Sequence, residues 1–368
     1  MTDTQSDEFW MAHALTLAAR GKTTTTPNPR VGCVIVRDGI NVGEGYHVRA
    51  GTGHAEVHAL AAAGDKARGA TAYVTLEPCS HYGRTPPCAE ALIAAQVARV
   101  VCAIEDPNPQ VAGTGLARLS AAGIEVRSGV LSADAELLNR GFLKRMRTGQ
   151  PWLTLKLASS LDGATAMASG ESQWITGPNA RADVQQARSE RCAILAGVGT
   201  VLSDDPSLTV RLNGAERQPD RIILDTQLNT PASARMLSLP GKTWILHGSE
   251  ASEEHKRALI ASGANLVVLP GNAAGHLDLT AVMIWLGQQS YNEVWAEPGA
   301  TLAGALLQAH CVDELWLYQA PVLLGAATRP LISARLDTLA EGLALSLIDV
   351  RAVGQDLRLR LVPKKRSM

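Results

Sequence analysis

Long apolar runs are absent from this sequence. No stretch of about 18 apolar residues occurs that could cross a bilayer as a helix. The start, MTDTQSDEFW, also lacks the charged-then-apolar layout of a secretory leader. A cytoplasmic location, with no membrane partner, is therefore expected. Aromatic residues are scarce at 4%, and the 34 Lys and Arg do not outnumber the 35 Asp and Glu. Residues 1–147 carry 15 basic against 14 acidic side chains, and the remainder 19 against 21, so neither part has a basic excess. A general nucleic-acid binder would need that excess and stacking surfaces besides, so a nucleic-acid partner is not expected. No G-x-x-x-x-G-K-[ST] motif occurs, and beyond residue 150 no G-x-G-x-x-G. Cysteine is limited to six residues, too few for a disulfide-built scaffold and, in a reducing compartment, better suited to metal or thiol chemistry.

What is present is 368 residues, 46% of them hydrophobic, which is enough for two ordinary cores. Residues 1–147 alternate helix and strand patterns: a helix at DEFWMAHALTLAAR, a hairpin of VGCVIV and NVGEGYH about Asp38-Gly39, and further strands at TAYVTLE, ARVVCAIE and IEVRSGV. Helix patterns separate these strands, and SADAELLNRGFLKRM closes the series. Such alternation predicts a largely parallel sheet covered on both faces. The polar stretch KRMRTGQP forms a joint, after which residues 151–368 read as a second α/β domain with more strands, from WLTLKLA to ELWLYQAPVLLG.

Four cysteines, Cys33, Cys102, Cys192 and Cys311, lie in apolar runs and read as buried hydrophobes. Cys79 and Cys88 do not. They stand in TLEPCSHYGRTPPC, downstream of His54 and Glu56 in GHAEVH. One imidazole and two thiolates suit tetrahedral zinc and leave its fourth position for water, as catalytic sites require. Residues two apart diverge by about 200° around a helix, so His54 and Glu56 share a site only at a helix start. There Glu56 can act as the proton shuttle. Pro87 places Cys88 in the first turn of a helix, where a thiolate is favoured. The eight-residue loop between the cysteines carries His81 and Arg84 toward the same mouth, and Asn28 and His47 are candidate substrate contacts. His58, one turn after His54, could instead complete a closed structural zinc site, but Glu56 would then have no role. In the second domain EVWAEPGATLAGALL reads as a strand, a small-residue turn and a helix whose free amides could hold a pyrophosphate. LKLASSLDG sets Lys156, Ser159 and Asp162 at a strand end, ESQWIT offers Ser172 and Trp174, and LSDDPSLTVR sets Asp204 near Arg211.

With PNPRVG, GEGYH, HAEVHAL, DPNPQVAGTG, GFLKRM, KLASSLDG and SGESQWIT in this order, the chain resembles the bifunctional riboflavin-biosynthesis deaminase/reductase family along its length. The resemblance implies a cytidine-deaminase-like three-layer α/β/α domain (residues 1–147) and a dihydrofolate-reductase-like α/β domain (residues 151–368). It also implies zinc and NADPH as cofactors, a phosphorylated pyrimidine as substrate and a homodimer. On the matching motifs it assigns zinc to His54, Cys79 and Cys88, with Glu56 catalytic. Around NADPH it places Ala158, Trp174, Thr200, Asp204, Thr226 and the turn Gly299, Ala300, Thr301, Leu302, Ala303, Gly304 and Ala305. Ser172, Arg188, Leu208, Arg211 and Glu297 would meet the substrate, the arginines holding its phosphate. Lys156 and Asp162 would orient the sugar and handle protons during its reduction.

Overall fold

The computed structural model describes residues 6–80, 82, 87–108 and 112–364. It divides into two compact units, Met1–Gly149 and Gln150–Met368.

The first unit runs α1 (Asp7–Ala18), β1 (Gly32–Arg37), β2 (Ile40–Tyr46), α2 (Ala55–Ala63), β3 (Thr71–Val74), α3 (Cys88–Ala94), β4 (Arg99–Cys102), α4 (Thr114–Ala121), β5 (Glu125–Ser128) and α5 (Ser132–Thr148). The strands form one sheet in the order β2-β1-β3-β4-β5. β3, β4 and β5 are parallel, whereas β1 runs antiparallel to both its neighbours. Asp38 and Gly39, at φ 54° and 73°, make the tight turn between β1 and β2. Period-two alternation splits β1 between two cores. Cys33 and Ile35 pack with Ala55, Ala59, Leu92 and Leu119 on one face; Val34 and Val36 pack with Met11, Leu17, Phe142 and Leu143 on the other. α2 lies close against β2 because Gly45 has no side chain: a Cβ there would stand 2.5 Å from His58 Cβ and 2.8 Å from the Ala55 carbonyl oxygen. α5 continues through KRMRT, the stretch read as a joint, and stops at Gly149, whose φ of 72° suits glycine.

The second unit continues with β6 (Trp152–Ser159), β7 (Ala164–Met167), α6 (Pro178–Ser189), β8 (Ala193–Gly197), α7 (Val198–Asp204), β9 (Asp220–Leu224), β10 (Thr243–His247), α8 (Glu253–Ala261), β11 (Ala264–Val268), α9 (Leu279–Gln288), β12 (Glu293–Ala296), α10 (Ala300–Gln308), β13 (Glu314–Gln319), β14 (Thr328–Pro330), β15 (Leu345–Val353) and β16 (Asp356–Pro363). A nine-stranded sheet has the order β11-β10-β9-β8-β12-β6-β13-β16-β15. From β11 to β13 every neighbour is parallel; β16 and β15 add an antiparallel edge. That hairpin is missing from the strands expected from sequence. The residues of β15 are intermediate or exposed throughout, so no buried face imposes alternation on its sequence. β13 ends at Gln319, short of the APVLLG that the sequence reading included; Pro321, two residues on, has no N–H to extend a ladder. β7 and β14 pair as a separate two-stranded ribbon.

α1 is tied to the first sheet by one carboxylate. Asp7 accepts from Arg99 Nη1 at 2.8 Å, Arg99 Nη2 at 2.9 Å, Tyr73 Oη at 2.9 Å and Arg127 Nη1 at 2.5 Å. The Arg99 hydrogen bonds, acting against the cost of burial, hold the Asp7 carboxyl at about 2, below its ordinary 3.8. Asp7→Asn should therefore destabilise this domain at neutral pH by about 1–2 kcal/mol, since half-exposed Arg127 adds little. A depressed carboxyl contributes stability above its unfolded-state value and loses it on protonation. The gap between wild type and variant, read from urea midpoints, should narrow as pH falls from about 4 toward 2.

Candidate active sites

The first site is built where two helices begin. His54 is the N-cap of α2, Glu56 lies in that helix's first turn, and Cys88 opens α3 with Pro87 as its N-cap. Cys79 follows β3 in the loop leading to α3. His54 Nδ1 lies 3.2 Å from Cys88 Sγ and 3.6 Å from Cys79 Sγ, and the Cys88 amide donates to Cys79 Sγ at 3.3 Å. One ligand atom from each of the three residues lies within 4.8 Å of the others, and among the described residues this is the one such group; His58 is not part of it. Hydrogen bonds from Cys88 and from His54 lower the Cys79 thiol below its ordinary range, while its bond to Cys79 and burial raise Cys88. Buried sulfur and imidazole donors at this spacing suit zinc.

Glu56 is 3% exposed and, among the described residues, its buried Oε2 has no hydrogen-bond partner. Burial pushes its carboxyl up to about 7, against the opposing pull of its own backbone amide and His54. A cavity of about 200 Å³ opens onto this group, lined by Asn28, His47, His54, Glu56, Cys79 and Asp106 among others. His47 Nδ1 contacts the Gly53 carbonyl oxygen at 3.1 Å, and its Nε2 lies 3.1 Å from Asn28 Nδ2. The neutral tautomer with its proton on Nδ1 satisfies both contacts, and burial lowers the His47 pKa and favours that form. His81 and Arg84 lie outside the described residues.

One residue of this site was not singled out from sequence. Glu77, 3% exposed, accepts from the amides of Asp106 (3.1 Å), Gly113 (2.9 Å), Gly115 (2.9 Å) and Leu116 (3.3 Å). It clamps the loop before α4 onto the strand end carrying Cys79. Gly115 permits this approach, because a Cβ there would stand 2.0 Å from the Pro78 carbonyl oxygen. The signal available was a carboxylate immediately before Pro-Cys.

The second site lies at the carboxyl ends of the parallel strands, where open α/β sheets bind ligands. A cavity of about 550 Å³ is lined by Lys156, Ala158, Ser172, Thr200, Asp204, Glu297, Gly299 and Ala300, among others. A second, of about 640 Å³, includes Thr226 and Ala305. The two share Gly199, Thr301 and Leu302, and so form one groove over the start of α10. Ala303 and Gly304 line neither cavity. They fall on the inward side of the helix, where Ala303 is buried and a Cβ on Gly304 would meet the Ser333 carbonyl oxygen at 2.9 Å.

Glu297 and Trp295 point to the same face of the sheet because they are two residues apart. Trp295 Nε1 donates to Glu297 Oε1 at 2.7 Å, and Arg188 grips both carboxylate oxygens at 2.7 Å. Burial alone would raise this carboxyl; Arg188, with Lys156 and Trp295, holds it at about 2. Arg188 gives a third donor to the Thr209 carbonyl oxygen, so part of its fork is held by protein and orients Glu297, a role that the sequence reading did not give it. Burial lowers the Lys156 pKa, with Glu297 opposing.

Other expectations change as well. Asp162 does not line the cavity. Its oxygens accept from Ser160 Oγ at 2.5 Å and from the amides of Leu324 and Gly325, which hold its carboxyl at about 2, so it fastens a loop and is not placed to handle protons. Asp204, expected near Arg211, has Arg329 as its charged neighbour instead. Leu208 is 2% exposed with its side chain in the core, so its side chain is not available to substrate. Trp174 is 66% exposed beneath the Arg181 guanidinium and lies outside both cavity linings. Arg211 likewise lies outside the linings, its pKa lowered by burial and by nearby Arg188.

Comparison with known proteins adds independent observations. Residues 4–104 match the family model for the cytidine and deoxycytidylate deaminase zinc-binding region, and residues 151–359 match the RibD C-terminal domain. The chain is 55% identical to riboflavin biosynthesis protein RibD of Escherichia coli (strain K12), covering 97% of this chain and 99% of that protein. Its structure is similar to Acinetobacter baumannii RibD, with a TM-score of 0.91 at 47% identity, covering 98% of this chain and 99% of that one. It is also similar to a diaminohydroxyphosphoribosylaminopyrimidine deaminase/5-amino-6-(5-phosphoribosylamino)uracil reductase from Thermotoga maritima. There the TM-score is 0.86 at 30% identity, over 97% of this chain and 99% of that one.

Proposed function

Since the chain belongs to the RibD family of bifunctional riboflavin-biosynthesis deaminase/reductases, we propose a residue-level account of both reactions. The N-terminal domain hydrolytically removes an amino group from 2,5-diamino-6-(5-phosphoribosylamino)pyrimidin-4-one. The C-terminal domain reduces the ribosyl group of the product, 5-amino-6-(5-phosphoribosylamino)uracil, to ribityl with NADPH. The observation that carries the first assignment is the buried Glu56 Oε2, without a hydrogen-bond partner among the described residues, beside the His54, Cys79 and Cys88 donors.

His54, Cys79 and Cys88 would hold zinc, which lowers the pKa of a water to about 7 and so supplies hydroxide at neutral pH. Glu56 takes one proton from the attacking water and passes it to a ring nitrogen, then takes the proton of the added hydroxyl and gives it to the amine as the C–N bond breaks and the carbonyl forms. Burial, which disfavours its charged form, suits Glu56 to carry a proton between water and substrate. Asn28 and His47, fixed by their mutual contact, face the pyrimidine.

In the reductase domain a bound reduced nicotinamide supplies the hydride. The groove over α10 accommodates the cofactor, its diphosphate at the amides of the helix start. Lys156 and Glu297 face the sugar within the same cavity. Lys156, whose ammonium is disfavoured by burial, is suited to orienting a sugar hydroxyl and moving its proton as C1′ is reduced. Arg211, near enough to Arg188 and Glu297 to feel both charges though outside the cavity linings, would meet the substrate phosphate.

A homodimer is supported by the edge strand β15, which exposes Leu347, Ile348 and Val350 at 56%, 52% and 52%. A long apolar edge invites pairing with a second copy.

Glu56→Gln should keep stoichiometric zinc by metal analysis and lower ammonia release by about 100-fold or more; retained hydrolysis would contradict the shuttle role. Lys156→Ala should slow NADPH oxidation by at least about tenfold without altering ammonia release, whereas unchanged turnover would remove Lys156 from the mechanism. Light scattering should give twice the chain mass for wild type, and a charged residue at Ile348 should shift it toward monomer. Monomeric wild type would exclude the dimer.

A further inference from the structure

The ribbon of β7 and β14 contributes Thr165, Ala166, Arg329 and Pro330 to the wall of the 550 Å³ cavity. Arg329 pairs with Ala166 in the ribbon register, so its backbone is fixed by strand pairing to a segment more than 160 residues away in sequence. Its head lies over Gly170. A Cβ on that residue would stand 3.0 Å from Arg329 Nη2 and 3.6 Å from Cζ, and Gly170 has φ +96°, where side chains are rarely found. The bare glycine therefore makes room for the guanidinium inside the cavity wall.

Among the described residues the Arg329 side chain makes no hydrogen bond and no ion pair; Asp204 acts on it only through its field. Lys156 is the other basic residue of this wall, whereas Arg188 is held by Glu297 and Thr209 and is not among the lining residues. Thr200, Ser203 and the opening residues of α10 complete the lining with hydroxyls and a helix start. A planar fork of unspent donors in such a setting suits two-pronged binding of phosphate oxygens, which a point charge cannot reproduce.

We infer that Arg329, which carries no role in the assignments above, grips a phosphate group of the ligand in this cavity. The inference rests on the reductase reading, in which that phosphate belongs either to the cofactor or to the sugar substrate.

The test uses the full-length protein and its Arg329→Ala, Arg329→Lys and Gly170→Ala variants. The Kd for NADPH is measured by fluorescence titration without sugar substrate, and the KM for the deaminated pyrimidine from NADPH oxidation. Arg329→Ala should raise one constant by about tenfold or more. Arg329→Lys, which keeps charge but loses the fork, should recover part of that, and Gly170→Ala should raise the same constant by displacing the guanidinium. A raised Kd assigns a phosphate of the cofactor, and an unchanged Kd with a raised KM assigns the sugar phosphate. Should Arg329→Ala not fold, judged by its melting midpoint, the lysine and Gly170→Ala variants decide. Both constants unchanged would overturn the role of Arg329 alone. Failure of wild type to bind or oxidise NADPH would overturn the reductase reading itself.

Discussion

The deaminase centre depends on sulfur and imidazole converging where two helices begin. Neither helix could supply the group alone, because residues along one helix start spread around its axis. His54 and Cys88 meet because α2 and α3 pack on the same face of the first sheet, with Cys79 delivered by the end of β3. The Cys88 amide, free because it opens a helix, is given to the Cys79 sulfur and lowers its basicity. Glu56 enters on the next residue but one after His54. Among the described residues its Oε2 has no hydrogen-bond partner, an arrangement that costs stability.

The clamp behind this centre uses backbone rather than charge. Glu77 collects two amides from the loop before α4 and two from the first turn of α4, and so fixes the segment between β3 and Cys79. In the reductase domain the same logic appears with side chains. Trp295, fully buried, and Arg188 together orient the Glu297 carboxylate, and Asp162 fastens the loop at Leu324 and Gly325. In each domain, then, a carboxylate without an obvious catalytic motif holds the wall in place while the cavity groups stay open to ligand.

The reductase groove shows how the start of α10 can line a cavity although its sequence holds no full dinucleotide fingerprint. Gly299 to Leu302 and Ala305 face the groove, while Ala303 and Gly304 turn inward to accept the Ser333 backbone. Small residues thus serve two purposes in one segment: open amides on one side and close packing on the other. The sequence alone does not separate them.

Local pattern was enough to read most strands, the hairpin at Asp38-Gly39, the helix start at Cys88 and the grouping of His54, Cys79 and Cys88 beside Glu56, because each depends on periodicity, turn chemistry or short-range spacing. The tertiary structure decided what depends on distant backbone. It joined the β15–β16 hairpin to the sheet edge, gave Arg188 to Glu297, turned Asp162 into a loop anchor, set Arg329 rather than Arg211 beside Asp204 and brought Glu77 to the amides of residues 106–116. An arginine or aspartate carries no mark in sequence of which partner will use its hydrogen bonds. That choice follows from which chain segments are packed side by side, and the partners here lie up to about 165 residues apart.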